Sequence, residues 1–139
     1  MPLFVRLFIK AHVLLYQLSG GKLGGSMRGS PVIILSTRGR KSGALRHVPV
    51  APYVEGDDMY IMASLGGAPK NPGWYFNLKA TPEVEVQLGG DHWKAKAIDL
   101  QEPEREQVWQ RVVAAMPGFG EYQKKTTRKI PVIRLARAA

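Results

Sequence analysis

Six short runs of strand-forming residues are the feature of this sequence that most constrains its fold. The runs are rich in Val, Ile and Tyr, and most are bounded by Gly or Asp, which is typical of β-strands joined by turns. They cover residues 32–37, 45–54, 59–64, 83–88, 92–98 and 131–135. Few neighbouring runs are separated by enough residues for a full helix, so parallel crossovers are disfavoured. The pattern predicts an α+β fold that is mainly β: a small antiparallel barrel of about six strands with helices as inserts.

The first segment of the chain, residues 2–18, has the pattern of an amphipathic helix. It is mostly apolar apart from Arg6, Lys10 and Gln17, which share one stripe at helical spacing. The segment is too short and too charged to span a bilayer, and the same charges argue against a signal peptide. Two alternatives remain: the helix lies in a membrane interface, or it packs on its own domain or on a second subunit.

Two more helices are expected among the strands. Asn71 before Pro72 is typical of a helix N-cap with proline at the first helical position, so a short helix is predicted through Lys79. Acidic residues open another over 102–115. The expected organisation is one domain over residues 1–139, with the helix at 1–18, a glycine-rich loop at 19–30 and the barrel at 31–139.

The charge of the chain is unbalanced, with 20 Lys and Arg against 11 Asp and Glu. Eight basic residues precede the first acid, Glu55, and seven follow Glu106, where Glu121 is the one remaining acid. This excess suggests a nucleic acid, an anionic membrane or an acidic small ligand as partner. If the fold joins the two basic regions, they form one positive cleft; otherwise they are two solvated faces. No helix-turn-helix, zinc finger or aromatic-basic stripe supports the nucleic acid.

Several kinds of chemistry are excluded by what the sequence lacks. The chain has no cysteine, which excludes disulfides, thiolate metal sites and a thiol nucleophile. His12, His47 and His92 have no ligand-like spacing, so no metal site is expected. Nucleophile-elbow, Walker and dinucleotide-binding motifs are also missing. An enzyme of this composition would need a bound organic cofactor.

Two loops have the composition of anion-binding sites. The first, residues 37–43 with Arg46, is a glycine-bounded turn with basic side chains, although a solvent-exposed hairpin is the alternative. The second, residues 63–77, leads from a strand through glycines into a helix that carries three consecutive aromatic residues, for which core packing is the alternative. Together the two loops suit an elongated ligand with an acidic tail and a conjugated ring.

Both loops, and a later stretch, resemble the deazaflavin-dependent nitroreductase family. The similar stretches are residues 35–43 with Arg46 and Pro49, 63–79, and 117–131. The resemblance implies a split β-barrel that binds coenzyme F420, an 8-hydroxy-5-deazaflavin with a phosphodiester and an oligoglutamate tail. These actinobacterial enzymes use the reduced coenzyme to reduce quinones, activated alkenes and, in one member, nitroimidazole prodrugs. It further implies a cytoplasmic protein whose N-terminal helix, residues 2–18, contacts the inner face of the cell membrane, with no nucleic acid partner.

The resemblance also assigns site residues. Along the coenzyme it places Arg40, Lys41, Ser42, Gly43, Arg46, Val48, Pro49, Met62, Ala63, Ser64, Leu65, Gly73, Trp74 and Asn77. The acceptor pocket would contain Ala51, Met116, Phe119 and Tyr122, and solvent, Tyr122 or Ser64 would supply a proton.

The acceptor pocket departs from the family's nitroreductase pattern. That pattern has tyrosine at Ala51, lysine at Leu65 and tyrosines at Met116 and Phe119. The departures favour a quinone or an activated alkene over a nitro compound as acceptor. Two other functions stay open: a protein that binds or sequesters the coenzyme without turnover, and a reductase of the same barrel class that uses FMN.

Overall fold

The computed structural model describes residues 3–19, 26–27 and 30–138. Its helices are α1 (Leu3–Ser19), α2 (Gly73–Ala80), α3 (Glu104–Ala115) and α4 (Gly118–Lys124), with a 3₁₀ turn at Leu65–Gly67. Its strands are β1 (Ser26–Met27), β2 (Ser30–Pro31), β3 (Ile33–Arg38), β4 (Leu45–Val50), β5 (Tyr53–Glu55), β6 (Asp58–Met62), β7 (Glu83–Leu88), β8 (Asp91–Asp99) and β9 (Val132–Arg137).

Seven of these strands form one antiparallel sheet in the order β4-β3-β7-β8-β9-β6-β5. The two edge strands, β4 and β5, are joined by Ala51 and Pro52 alone. Because so short a link spans at most about 11 Å, the sheet must curl until its edges approach each other. The curled sheet is a half-barrel, which confirms the predicted α+β barrel fold.

The predicted strand over 45–54 is wrong in one respect, because it is two strands. The ladder of β4 ends at Val50, and Tyr53 starts β5 on the far edge of the sheet. Pro52 has no N–H to donate to a ladder, so the strand is expected to break at this position.

The inside of the half-barrel holds one apolar core, and its outer face holds a second beneath α3 and α4. The alternation of side chains along β6 divides them, since Met59 and Ile61 point inward while Tyr60 and Met62 point outward. The inner core includes Ile33, Leu35, Leu78, Val84, Val86, Ile133 and Leu135, and the outer core includes Val108, Trp109, Val112, Ile130 and Val132. The side chains on both faces of β6 are therefore buried. This packing holds β6 in place, and with it the start of the loop that follows β6.

The predicted N-cap at Asn71 is wrong. Helix α2 begins at Gly73 after an extended Pro72 and has no side-chain cap, while the Asn71 side chain accepts a hydrogen bond from Arg128 instead. The tyrosine hydroxyl of Tyr75 donates to Asp99 of β8 at 2.6 Å, so α2 is attached to the sheet. Burial and this contact with the carboxylate raise the pKa of Tyr75.

Helix α1 packs on the chain's own sheet through one face. Val13 is buried against Ile34 of β3, with Ile9 beside it. Another face leaves Leu3, Leu7 and Phe8 exposed. Within the described part of the chain, no helix combines the length and the apolarity needed to cross a membrane.

The loop predicted over 19–30 is described only in part. Residues 20–25 and 28–29 lie outside the described residues, while Ser26–Met27 and Ser30–Pro31 pair as a short antiparallel ladder. The division into a helix, a loop and one barrel domain stays a prediction.

Candidate cofactor and active site

A cleft of about 1140 Å³ opens beside the β3–β4 hairpin. Its walls come from α1, β4, the loop after β6, α2 and α4. The predicted site residues that line it are Arg40, Lys41, Ser42, Arg46, Val48, Pro49, Ala51, Met62, Ser64, Leu65, Gly73, Trp74, Asn77, Phe119 and Tyr122. The fold thus brings together residues that are up to 82 positions apart, from Arg40 to Tyr122.

Three predicted site residues do not line the cleft. Gly43 shapes the turn, since it has a φ of 73° and its N–H donates to Gly39 O at 2.7 Å. Ala63 is fully buried inside the half-barrel. Met116 ends α3 as its C-cap residue and is not among the residues that line the cleft.

Residues 39–43, here called the basic turn, are held by Asn77 of α2. The Asn77 Oδ1 accepts from the backbone N–H of Arg40 at 3.2 Å and from Arg40 Nη1 at 3.3 Å. Its Nδ2 donates to Thr37 Oγ1 at 3.2 Å, and the residue is only 7% exposed. The Arg40 guanidinium also lies over the Phe76 ring, 5.3 Å from the centroid. Asn77 therefore holds the basic turn against α2.

The cleft carries uncompensated positive charge. Five basic residues line it: Arg6, Lys10, Arg40, Lys41 and Arg46. In the described part of the chain, no acidic residue lines it. The ion pairs formed within the described ranges leave all five without a carboxylate partner within 4.0 Å. Such a concentration of one sign of charge in a concave wall attracts anions.

The C-terminal basic region does not join this cleft. Arg111, Lys124 and Lys129 pair with acidic residues, at N–O distances of 2.8 to 3.1 Å. The Arg137 guanidinium lies 4.5 Å from the centroid of the Trp93 ring. The alternative of one positive cleft formed by both basic regions is therefore wrong for the second region, because none of its cations lines the cleft.

Arg128 is another basic residue of the C-terminal region that does not line the cleft, because its guanidinium is bonded to the loop at residues 63–71. It donates to the carbonyl oxygens of Ala63, Ser64, Ala68 and Lys70 and to the Asn71 Oδ1, at 2.7 to 3.1 Å. Burial lowers the pKa of Arg128 from the ordinary value of an arginine. The Arg128 guanidinium therefore stabilises the loop that forms this part of the cleft wall.

The same loop has an unusual backbone. Leu65 has a φ of 45°, which is strained for a branched side chain, and Gly66 and Gly67 have φ of 64° and 86°. At Gly67 a Cβ atom would lie 2.5 Å from Tyr122 O and 2.9 Å from Lys125 Cβ. Glycine is therefore required there for α4 to approach the loop.

Flat apolar surface and four hydroxyl side chains, those of Thr37, Ser42, Ser64 and Tyr122, complete the cleft. Trp74, Val48 and Pro49 line it, and Phe119 meets Tyr122 edge to face at 5.7 Å. Two of the four hydroxyls are the predicted proton donors, Ser64, which is 8% exposed, and Tyr122. The arrangement can hold an aromatic ring with an anionic tail and can supply a proton from a hydroxyl.

Comparison with known proteins gives the family. The family model for F420H(2)-dependent quinone reductases matches residues 8–136. The chain belongs to this family. An F420H(2)-dependent quinone reductase of Mycobacterium tuberculosis is 35% identical over 133 residues, which are 93% of this chain and 89% of that protein. The resemblance inferred from the motifs is thereby confirmed.

Solved structures agree with this membership. An F420-H2 dependent reductase, FDR-A, is 43% identical with a TM-score of 0.69 over 76% of this chain and 93% of that one. A protein solved as a domain-swapped dimer is 38% identical, with a TM-score of 0.72 over 95% of this chain and 96% of that chain. A FAD-binding protein of Mesorhizobium loti, at 13% identity and a TM-score of 0.57, shows the same fold alone.

Three of the residues that shape the cleft were missed from the sequence. Arg6 and Lys10 of α1 line the cleft, whereas the membrane-interface alternative places this helix against lipid. Their four-residue spacing was visible, but the surface they face was not. Arg128 gave no local signal, since its five acceptors are 57 to 65 residues away.

Proposed function

We propose that this protein transfers a hydride from reduced coenzyme F420 to a quinone. The observation that carries the proposal is the cleft, in which five cations adjoin the flat apolar surface of Trp74, Val48 and Pro49 and have no carboxylate partner in the described part of the chain. Relatives named F420H(2)-dependent quinone reductases support the choice of coenzyme and acceptor.

The lining residues fit the coenzyme part by part. Arg40, Lys41 and Arg46 match the phosphodiester and the oligoglutamate tail, because charge-assisted hydrogen bonds to such anions are the strongest kind. Trp74 offers a flat face for the deazaflavin ring. When bound, the reduced coenzyme supplies the hydride from carbon 5 of that ring.

The chain's own groups would complete the reduction. A quinone that accepts one hydride needs one proton to become the neutral quinol. We assign that proton to the hydroxyl of Tyr122 or Ser64, with solvent as the final source. Ala51 and Phe119 line the same cleft and would border the acceptor, whereas Met116 lies outside it.

Other acceptors and the location of the protein form a finer part of this proposal. Activated alkenes present the same polarised carbonyl system as quinones, and nitroaromatic compounds are the remaining acceptor class. We place the protein in the cytoplasm, with the exposed Leu3, Leu7 and Phe8 of α1 against an anionic lipid surface. Sedimentation with anionic phospholipid vesicles, compared for wild type and Phe8→Glu, tests that contact.

A pair of titrations tests the main proposal. Coenzyme F420 and FMN are each titrated into the protein while fluorescence is recorded, and a menaquinone analogue is then added to the complex with the reduced deazaflavin. We expect tight binding of coenzyme F420, weak binding of FMN and oxidation of the deazaflavin on addition of the quinone. Tight FMN binding would indicate the flavin reductase, and binding without oxidation by any quinone or enone would indicate a sequestering protein.

A further inference from the structure

Arg128 connects two neighbouring walls of the cleft, which pack against each other. One wall is the loop at residues 63–71, and the other is α4, which contributes Phe119 and Tyr122. We propose that Arg128 is a positioning residue that sets the distance between these walls and so the fit of the acceptor, without contacting coenzyme or acceptor itself. This inference rests on the proposed quinone reductase function.

The guanidinium holds the loop at both of its ends. Nη1 donates to Ala63 O at 3.1 Å and to Asn71 Oδ1 at 2.7 Å, which are the first and last residues of the loop. Nη2 donates to Ser64 O at 2.9 Å and to Lys70 O at 3.1 Å, and Nε donates to Ala68 O at 3.0 Å. All three nitrogens of the side chain therefore donate hydrogen bonds to this one loop.

The backbone of Arg128 is in turn bound to α4. Gln123 Nε2 donates to Arg128 O at 2.7 Å, and Gln123 Oε1 accepts from Ile130 N at 3.1 Å. The loop touches α4 directly at Gly67. We call the set of Arg128, Gln123 and the loop at residues 63–71 the arginine clamp.

The geometry of an arginine suits this task, whereas a lysine would not. Five N–H donors in one plane reach acceptors in fixed, separate directions, while an ammonium is a single point with three donors. The clamp holds Leu65 at a positive φ that an unrestrained leucine avoids. Ser64 and Leu65 both line the cleft next to this constraint.

The arginine clamp and Asn77 act on different parts of the cleft. Asn77 holds the basic turn, and none of the bonds described for it involves the loop at residues 63–71. A change at Arg128 should therefore affect the acceptor and leave the binding of the coenzyme tail intact. This separation distinguishes a positioning role from a general loss of structure.

The test compares Arg128→Lys with a matched control, Arg105→Lys. Arg105 is a buried arginine that, like the partly buried Arg128, donates to backbone carbonyl oxygen, in its case twice to Ile130 O, but it does not line the cleft. For Arg128→Lys we expect kcat/KM for a menaquinone analogue to fall about tenfold or more, mainly through KM, because a wall displaced by part of an ångström misplaces the acceptor. The dissociation constant of coenzyme F420 should change much less than kcat/KM, because the basic turn and Asn77, which would hold the charged tail, are not bonded to Arg128.

For Arg105→Lys we expect a lower melting temperature and unchanged quinone kinetics. If Arg128→Lys melts below the assay temperature, Gln123→Met replaces it, because that change removes the α4 end of the clamp and keeps the guanidinium. Millimolar methylguanidinium added to Arg128→Ala should restore part of the quinone activity.

Three results would overturn the inference: wild-type quinone kinetics in the folded Arg128→Lys or Gln123→Met protein, the same kinetic loss in Arg105→Lys, or a parallel loss of coenzyme affinity. A wild-type protein that neither binds coenzyme F420 nor oxidises it with a quinone would instead contradict the proposed function, so the two failures are distinguishable.

Discussion

Asn77 and Arg40 are joined twice, because one side-chain oxygen of Asn77 accepts both the backbone N–H and the Nη1 of Arg40, at 3.2 and 3.3 Å. The two residues are 37 positions apart, with four strand or turn elements between them, so this contact fixes the basic turn against α2. Replacing Asn77 with Ala should leave a mobile Arg40 and weaken coenzyme F420 binding about tenfold, as expected for losing hydrogen bonds to a charged group. Fluorescence titration measures this effect.

The control for that change is Gln101→Ala. The Gln101 side chain is exposed and donates to the Asp99 carbonyl, away from the cleft. It should bind the coenzyme like wild type. Equal affinity in the Asn77→Ala protein would show that the basic turn keeps its shape without this contact.

Lys41 should contribute to coenzyme affinity much more than to stability. It is exposed, lines the cleft and has no carboxylate partner within the described ranges. Lys41→Ala should weaken coenzyme binding about tenfold, through loss of a charge-assisted bond, and should move the melting temperature little. The wild-type dissociation constant should also rise with salt, and more steeply than that of the variant.

Lys96→Ala provides a matched control, since Lys96 is an exposed lysine of β8 that does not line the cleft. Unchanged affinity in both lysine variants would mean that the basic turn is a solvated hairpin, the alternative that the sequence left open.

The cations of α1 should also contribute to coenzyme binding. Arg6 and Lys10 line the cleft on the face of α1 next to the buried Val13. The double change Arg6→Ala and Lys10→Ala should weaken coenzyme binding several-fold, roughly the effect of two partly screened charges. Leu7→Ala, on the exposed face, should not. Reduced vesicle binding with unchanged coenzyme affinity in the double variant would instead favour lipid headgroups as the contact of these two cations.

Gly66 and Gly67 form a natural pair for testing the packing of α4. Both have positive φ, but a Cβ at Gly66 meets open space while a Cβ at Gly67 overlaps Tyr122 O. Gly66→Ala should lower the free energy of unfolding by about 1–2 kcal/mol, the conformational cost alone. Gly67→Ala should cost more, because the overlap adds a strain of about 1–3 kcal/mol. Urea denaturation compares the two, and equal losses would contradict the close approach of α4.

Sequence patterns within short segments predicted the parts of the molecule whose structure depends on neighbouring residues. The hairpins, the basic turn and the aromatic helix α2 each follow from neighbouring residues, and the family motifs then placed most of the cleft wall. The break between β4 and β5 was missed although Pro52 marks it, because the apolar run on both sides outweighed a single residue. Helix α4 was missed because Gly118 and Gly120 are poor helix formers, so its helix depends on packing against the loop.

The features that the sequence did not predict depend on contacts between residues that are far apart in the chain. Asn71 looked like a helix cap, and only the fold shows that its oxygen accepts from Arg128, 57 positions away. The stripe of Arg6 and Lys10 was visible, but a stripe does not say whether lipid or cleft lies opposite. These assignments require knowledge of which surfaces meet, which no pattern within one segment contains.

The five cations of the cleft have one more consequence, which concerns the protein before it meets its coenzyme. Like charges held in one concavity repel each other, and within the described chain no carboxylate offsets them there. A polyanionic ligand that binds there would neutralise these charges and stabilise the folded protein, so coenzyme binding and folding are linked. The melting temperature of the protein should therefore rise with the concentration of coenzyme F420.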